Sequence, residues 1–127
     1  MIDTNLSGAF YCSREAVKRM VKNKEGKIVN ITSMWGQVGA SMEVHYSASK
    51  AGLIGMTKAL AKHVALSGIT VHAVPPGVTK THMISEFSPR DLEALKEETP
   101  LNRLGEPIDV ANAVAFLLSS GVILLVK

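Results

Sequence analysis

Two short runs of β-branched residues constrain this chain more than anything else in it. Lys27 to Ile31 and Ile69 to Val74 are too short for helices and too apolar for loops, so both read as buried strands. Before the first run, Leu6, Ala9, Phe10, Val17, Met20 and Val21 recur at helical spacing, which predicts a helix from about Leu6 to Lys22, with Gly26 suited to its stop. Between the runs, a long helix is predicted from about Val44 to Ser67, ending at Gly68. Two strands, each preceded by a helix, suggest βαβ units with right-handed crossovers and a parallel sheet. The 127 residues are enough for one domain and too few for two, so residues 1–127 are expected to form a single α/β domain.

The segments around these elements are also readable. Ser33 to Ser41 is rich in Gly and Ser and reads as a loop. Trp35 and Gln37 within it suit a substrate-pocket wall and a partly covered loop equally. The long helix carries Ala48, Ala51, Gly52, Gly55 and Ala59. Glycine inside a helix costs roughly 1 kcal/mol against alanine, so close packing is expected along it. Pro75-Pro76-Gly77 breaks the chain at the C-terminal end of the second strand, where ligands bind in open α/β sheets. Ser88-Pro89-Arg90-Asp91 has the cap, proline and carboxylate of a helix start. That acidic helix has Leu92 and Leu95 as apolar contacts. Pro107 opens a last helix to about Ser119 with Val110, Val114, Leu117 and Leu118 expected inside, and Gly121 to Val126 could form a final strand.

Composition excludes several functions. The net charge of +3 is mild, and Lys18, Arg19, Lys22, Lys24 and Lys27 fit a solvated helix end better than a nucleic-acid surface. Cys12 is the single cysteine, so no intrachain disulfide can form and a reducing, cytoplasmic setting is expected. No charged-then-apolar leader is visible, and Val122 to Val126 is too short to span a bilayer. His45, His63, His72 and His82 lack metal-ligand spacing.

The chemistry concentrates in Tyr46-Ser47-Ala48-Ser49-Lys50. Residues four apart on a helix share a face. Free tyrosine and lysine titrate at about 10 and 10.4. A cation held beside a phenol favours phenolate, which would make Tyr46 a proton donor usable near neutrality. Ser33 lies 13 positions upstream, just past the first strand, and Asn5 stands at the head of the first helix.

With these residues in view, the chain resembles the C-terminal half of a short-chain dehydrogenase/reductase, most like the bacterial 3-oxoacyl-acyl-carrier-protein reductases. The matching stretches are Ile2 to Leu6, Gly26 to Ser33, Tyr46 to Gly52, Pro76 to Met83 and Pro100 to Leu118. The resemblance implies a partial doubly wound, Rossmann-like parallel sheet with flanking helices whose N-terminal half is absent. It implies reduction of a 3-oxoacyl thioester in fatty acid biosynthesis by hydride transfer, with NADP(H) in preference to NAD(H). Tyr46 would protonate the carbonyl oxygen. Lys50 would lower the tyrosine pKa and bind the nicotinamide ribose, Ser33 would hydrogen-bond the same oxygen, and Asn5 would hold a water that refills the proton. Val78 and Thr79 would meet the nicotinamide carboxamide through backbone, and Thr81 through its hydroxyl. A turn-capping role competes for the two threonines. Acyl-carrier protein or an acyl thioester is the implied partner, the acidic helix a mobile lid, and the helices near 6–22 and 44–67 the interface of a homotetramer. A reductase for another secondary alcohol or sugar, and an inactive remnant that keeps only the oligomer interface, are the alternatives.

The chain departs from the family pattern in several places. It has no G-x-x-x-G-x-G or G-x-G-x-x-G, so alone it is expected to bind nicotinamide nucleotide poorly or not at all. The strand at Lys27 to Ile31 would present an apolar edge. Pro75 and His72 stand where alanine and asparagine are usual, the tail after Leu118 diverges, and of two basic residues expected in the turns before the strands Lys24 matches while Ser67 does not.

Overall fold

The computed structural model describes residues 1–81, 84 and 87–120. The predicted strand at 121–126, as well as His82 and Met83, lie outside these residues. Two strands form the sheet among the described residues, β1 (Gly26–Ile31) and β2 (Ile69–Val74). They pair in parallel, with Gly26 opposite Ile69 and Ile31 opposite Val74. Parallel strands need a long return connection. Here it is α2 (Met34–Val38), α3 (Val44–Val64) and a 3₁₀ turn at Ala65–Ser67. This is the α/β arrangement expected from the two β-branched runs.

Period-two alternation decides which side chains meet which layer. Ile69 and Val71 turn to one face, where they form a core with Val64 of α3, flanked by Ile28, Leu60 and Val17 and Met20 of α1 (Gly8–Asn23). Fully burying such a side chain contributes about 1.5–3 kcal/mol. Lys27 and Thr70 are register partners on the opposite face. The Lys27 ammonium there donates to the Ser119 carbonyl at the end of α5 (Pro107–Leu118), which lies against both strands. The third face-to-face tie is polar: Asn30 Nδ2 donates to Thr57 Oγ1 at 2.9 Å, joining β1 to α3.

Several local expectations are revised. The first helix begins with a π-helical turn, Asp3–Ser7, so Asn5 sits in a widened turn rather than at a helix head. The left-handed stop of α1 is Lys24 (φ 51°), whose amide bonds the Met20 and Val21 carbonyls; Gly26 instead opens β1 against the Met20 side chain. The segment after Ser33 contains a helix, α2, because Ser33 caps it: its hydroxyl accepts from the Trp35 amide at 3.1 Å. Phe10, Val21 and Leu118 face outward, since α1 and α5 each overhang a sheet only two strands wide. The helix after Ser88 forms as expected, α4 (Pro89–Glu98), with the Ser88 hydroxyl accepting from the Asp91 amide at 3.1 Å. At α5 the Asp109 carboxylate accepts from the Glu106 amide at 2.8 Å and from Arg103, which hold its pKa below the usual value.

The long helix is expected to run to Ser67, but α3 gives way after Val64 to the 3₁₀ turn, which ends at Gly68 with φ +75°, in the left-handed region, where a Cβ would overlap the Lys24 carbonyl oxygen. Alanine at 68 suffers both strain and collision. Gly68→Ala is expected to lower stability by about 1–3 kcal/mol in urea unfolding. A variant as stable as the parent would show that the junction of α1 and β2 is not held by this close approach.

Candidate active site

A crossover helix runs antiparallel to its strands, so the first turns of α3 stand at the strands' C-terminal ends. About 1.5 Å of rise per helical residue and 3.3 Å per strand residue make α3 roughly 31 Å long against 20 Å for each strand. Its N-terminal turns therefore project past the sheet. Tyr46 and Lys50 lie in these turns. Ser33 follows β1, and the Pro75 to Thr81 segment follows β2, so three parts of the chain meet at one end of the sheet.

The i, i+4 spacing places Tyr46 and Lys50 together: Lys50 Nζ stands 5.6 Å from the centroid of the Tyr46 ring. The ammonium also donates to the Ile31 carbonyl, the last of β1, at 3.0 Å. An ammonium has three donors, so this bond leaves two for other acceptors. Partial burial lowers the Lys50 pKa from its ordinary value of 10.5. On its other side Tyr46 meets Trp35, ring centroids 6.1 Å apart and planes at 80°, an edge-to-face contact. Trp35 is thus a wall of the tyrosine's surroundings, whereas Gln37 is exposed.

Ser33 is buried, and its oxygen already accepts from the Trp35 amide. The proton of that hydroxyl is thereby left for a second acceptor, and a carbonyl oxygen is a suitable one. Asn5 reaches the same helix through a residue that spacing did not single out. Its Nδ2 donates to Ser49 Oγ at 3.4 Å, and that hydroxyl donates to the Tyr46 carbonyl at 2.8 Å. Ser49 is fully buried. The available signal was a serine inside a helix, which satisfies itself on the preceding turn.

The segment after β2 is pinned elsewhere. The Lys80 amide donates to the Gly105 carbonyl and the Gly105 amide to the Val78 carbonyl, both at 2.8 Å, forming a parallel bridge between Thr79 and Gly105. Lys80 Nζ pairs with Glu106 at 2.7 Å. The Thr79 hydroxyl donates to the Gly77 carbonyl at 3.0 Å, a turn-capping bond, and Thr81 is exposed. Val78 thus spends its carbonyl on Gly105. Met34 N donates to Pro76 O at 3.1 Å, which ties this segment to α2.

The family model described as "Enoyl-(Acyl carrier protein) reductase" matches residues 1–123. The chain belongs to the short-chain dehydrogenase/reductase family. It is 50% identical over 119 residues to a 3-oxoacyl-[acyl-carrier-protein] reductase of Rickettsia felis, a match that covers 94% of this chain and 49% of that protein. The reductase of the same name from Staphylococcus epidermidis is 43% identical over 119 residues, again 94% of this chain and 49% of that one. Among solved structures, a tyrosine-to-phenylalanine variant of ElxO with NADPH bound superposes with a TM-score of 0.91 at 34% identity, covering 98% of this chain and 52% of that one. The chain spans about half the length of the curated reductases it matches. Among its described residues, no helix is long and apolar enough to cross a membrane, and no His, Cys, Asp and Glu cluster could hold a metal.

The lowered Lys50 pKa has a signed consequence. The folded chain releases this proton at lower pH than the unfolded chain. Below the folded value both states are charged. Between it and the ordinary value of 10.5 the unfolded chain binds more protons, so stability from this residue rises with pH. Lys50→Met is expected to flatten that alkaline rise in urea midpoints. An identical slope in the two proteins would show that Lys50 is as hydrated in the fold as out of it.

Proposed function

We propose that the chain carries the acid–base and nicotinamide-facing part of an NADP(H)-dependent 3-oxoacyl-thioester reductase. The observation that carries the reading is the Lys50 ammonium 5.6 Å from the Tyr46 ring centroid, at the sheet end where Ser33 follows β1. The names of the Rickettsia and Staphylococcus relatives support a 3-oxoacyl thioester as substrate, and the NADPH in the ElxO structure supports that dinucleotide.

The residues present suit a nicotinamide nucleotide. Lys50 keeps two donors for ribose hydroxyls, and the Val78, Thr79 and Thr81 segment, braced on Gly105, lies at the same end of the sheet. When bound, the dinucleotide supplies the hydride that reduces the carbonyl carbon. This chain supplies the proton. Tyr46 gives its phenolic proton to the carbonyl oxygen, which becomes the 3-hydroxyl. Ser33 donates a hydrogen bond to that oxygen as negative charge develops there. Lys50 steadies the phenolate left behind, and Asn5, held by Ser49, is placed to guide a water that restores the proton.

Self-association belongs to the same proposal. An open groove of about 510 Å³ runs between α1 and α3, lined by Phe10, Val17, Met56, Ala59 and Leu60 among others. Gly52 owes its small size to Leu6, against which a Cβ would collide, but a Cβ on Gly55 would meet nothing within 4 Å in the single chain. Its open face suits the backbone of a second copy. Gly55→Ala is expected to raise the stability of the isolated chain by about 0.5–1 kcal/mol through helix propensity and to lower the associated fraction in sedimentation. A monomeric parent chain would defeat this part of the reading.

The chemistry is tested by joining the chain to the part of the Rickettsia reductase it does not match. NADPH oxidation is then followed with acetoacetyl, crotonyl and simple ketone or sugar substrates. Turnover of the acetoacetyl thioester is expected, and Tyr46→Phe should lower it by about 10²–10⁴-fold while NADPH binding persists. Undiminished turnover in that variant would remove Tyr46 from the chemistry. Preference for the crotonyl thioester or a sugar would move the substrate assignment.

A further inference from the structure

We infer that Gly36 is a positioning residue: its missing side chain lets α2 rest on the backbone of α3 at Lys50, and this contact sets Ser33 relative to the Tyr46–Lys50 pair. The inference rests on the proposed reductase reading. A Cβ built on Gly36 would stand 2.7 Å from the Lys50 carbonyl carbon, 2.9 Å from the Ala51 nitrogen and 2.9 Å from the Lys50 Cβ. Two of these neighbours are backbone and the third is fixed to it, so none can rotate away. A methyl group there must drive the two helices apart.

Movement of α2 would carry the site with it. This helix has five residues and no buried one, so it has no core of its own to keep its place. It is held by its cap and by its neighbours. The Gly36 amide donates to the Ser33 carbonyl at 3.0 Å, and the Ser33 hydroxyl accepts from Trp35 within the same turn. Ser33 and Gly36 therefore move as one body. The Trp35 edge against Tyr46 belongs to that body too. Gly39 and Gly55, in contrast, would place a Cβ in open space, and the Cβ of Gly52 would meet the Leu6 side chain, so among these four it is Gly36 whose Cβ would meet the backbone of α3.

The test uses the sole tryptophan of the chain as a reporter. With centroids 6.1 Å apart and planes at 80°, the Trp35 ring is expected to shift the Tyr46 ring-proton resonances, which Tyr46→Phe assigns and the non-aromatic Trp35→Leu returns to ordinary values. In the 127-residue chain, Gly36→Ala is expected to reduce that shift while circular dichroism keeps the parent helix content. In the joined protein the same variant should lose about 10–100-fold in kcat, with KM for the acetoacetyl thioester changed by less than about threefold, as misplacement of a reacting group predicts. Parent resonances together with parent kcat would overturn the inference and leave the reductase reading intact. Absence of turnover in the unsubstituted joined protein would sink the reductase reading, and the resonances would still decide the placement. If Gly36→Ala fails to fold, the unsubstituted chain decides, because the close approach puts a Gly36 α-proton beside the Ala51 nitrogen. Nuclear Overhauser cross-peaks between the Gly36 α-protons and the Ala51 amide proton then uphold the inference, and their absence overturns it.

Discussion

Parallel pairing of β1 and β2 is the constraint on which the rest depends. Two strands joined by one connection can run the same way only if the chain returns along the sheet, and α3 is that return. The return path puts the start of α3, the end of β1 and the end of β2 at one edge of the molecule. The residues of the candidate site come from four separate stretches: Asn5; Ser33 and Trp35; Tyr46, Ser49 and Lys50; and Val78, Thr79 and Thr81. Their convergence follows from topology before any side chain is considered.

Within that frame, the site is built by backbone ties more than by side-chain pairs. The Ile31 carbonyl accepts from the Lys50 ammonium, the Ser33 hydroxyl accepts from the Trp35 amide, and Gly105 bonds both ends of the Val78 to Lys80 segment. A hydrogen bond to a main-chain atom fixes a side chain to an element that cannot rotate. The exposed ion pairs are of a different kind. Lys80–Glu106 and Arg103–Asp109 are each roughly half solvated and contribute about 0–1 kcal/mol. They reinforce ties that the backbone already makes.

Much of the fold was legible because its signals are local. Both strands were marked by β-branched runs, α4 by Ser88 and Pro89, and the end of the 3₁₀ turn that follows α3 by Gly68. The misses share a cause. Five-residue α2 is too short to show a helical period, so Ser33 to Ser41 read as a loop, and the capping serine went unrecognised. Lys24 adopts a left-handed conformation two residues before Gly26, the glycine suited to the stop. The outward Phe10, Val21 and Leu118 obey helical spacing but lie beyond the width of the described sheet. Ser49 was passed over because its partners, Asn5 and the Tyr46 carbonyl, come from a distant turn and from the main chain.

The amino-acid order alone settled what depends on distances along the chain: two short β-branched strands, a helix between them, and a phenol and an ammonium one turn apart on its face. Only the folded packing decided what surrounds that pair. The bridge from Gly105 to the segment after β2, the seat of Gly36 on Lys50, and the edge of Trp35 on Tyr46 each join segments whose separation no local period encodes. Their geometry depends on how closely one backbone can approach another, and that is a property of the packed volume rather than of neighbouring letters.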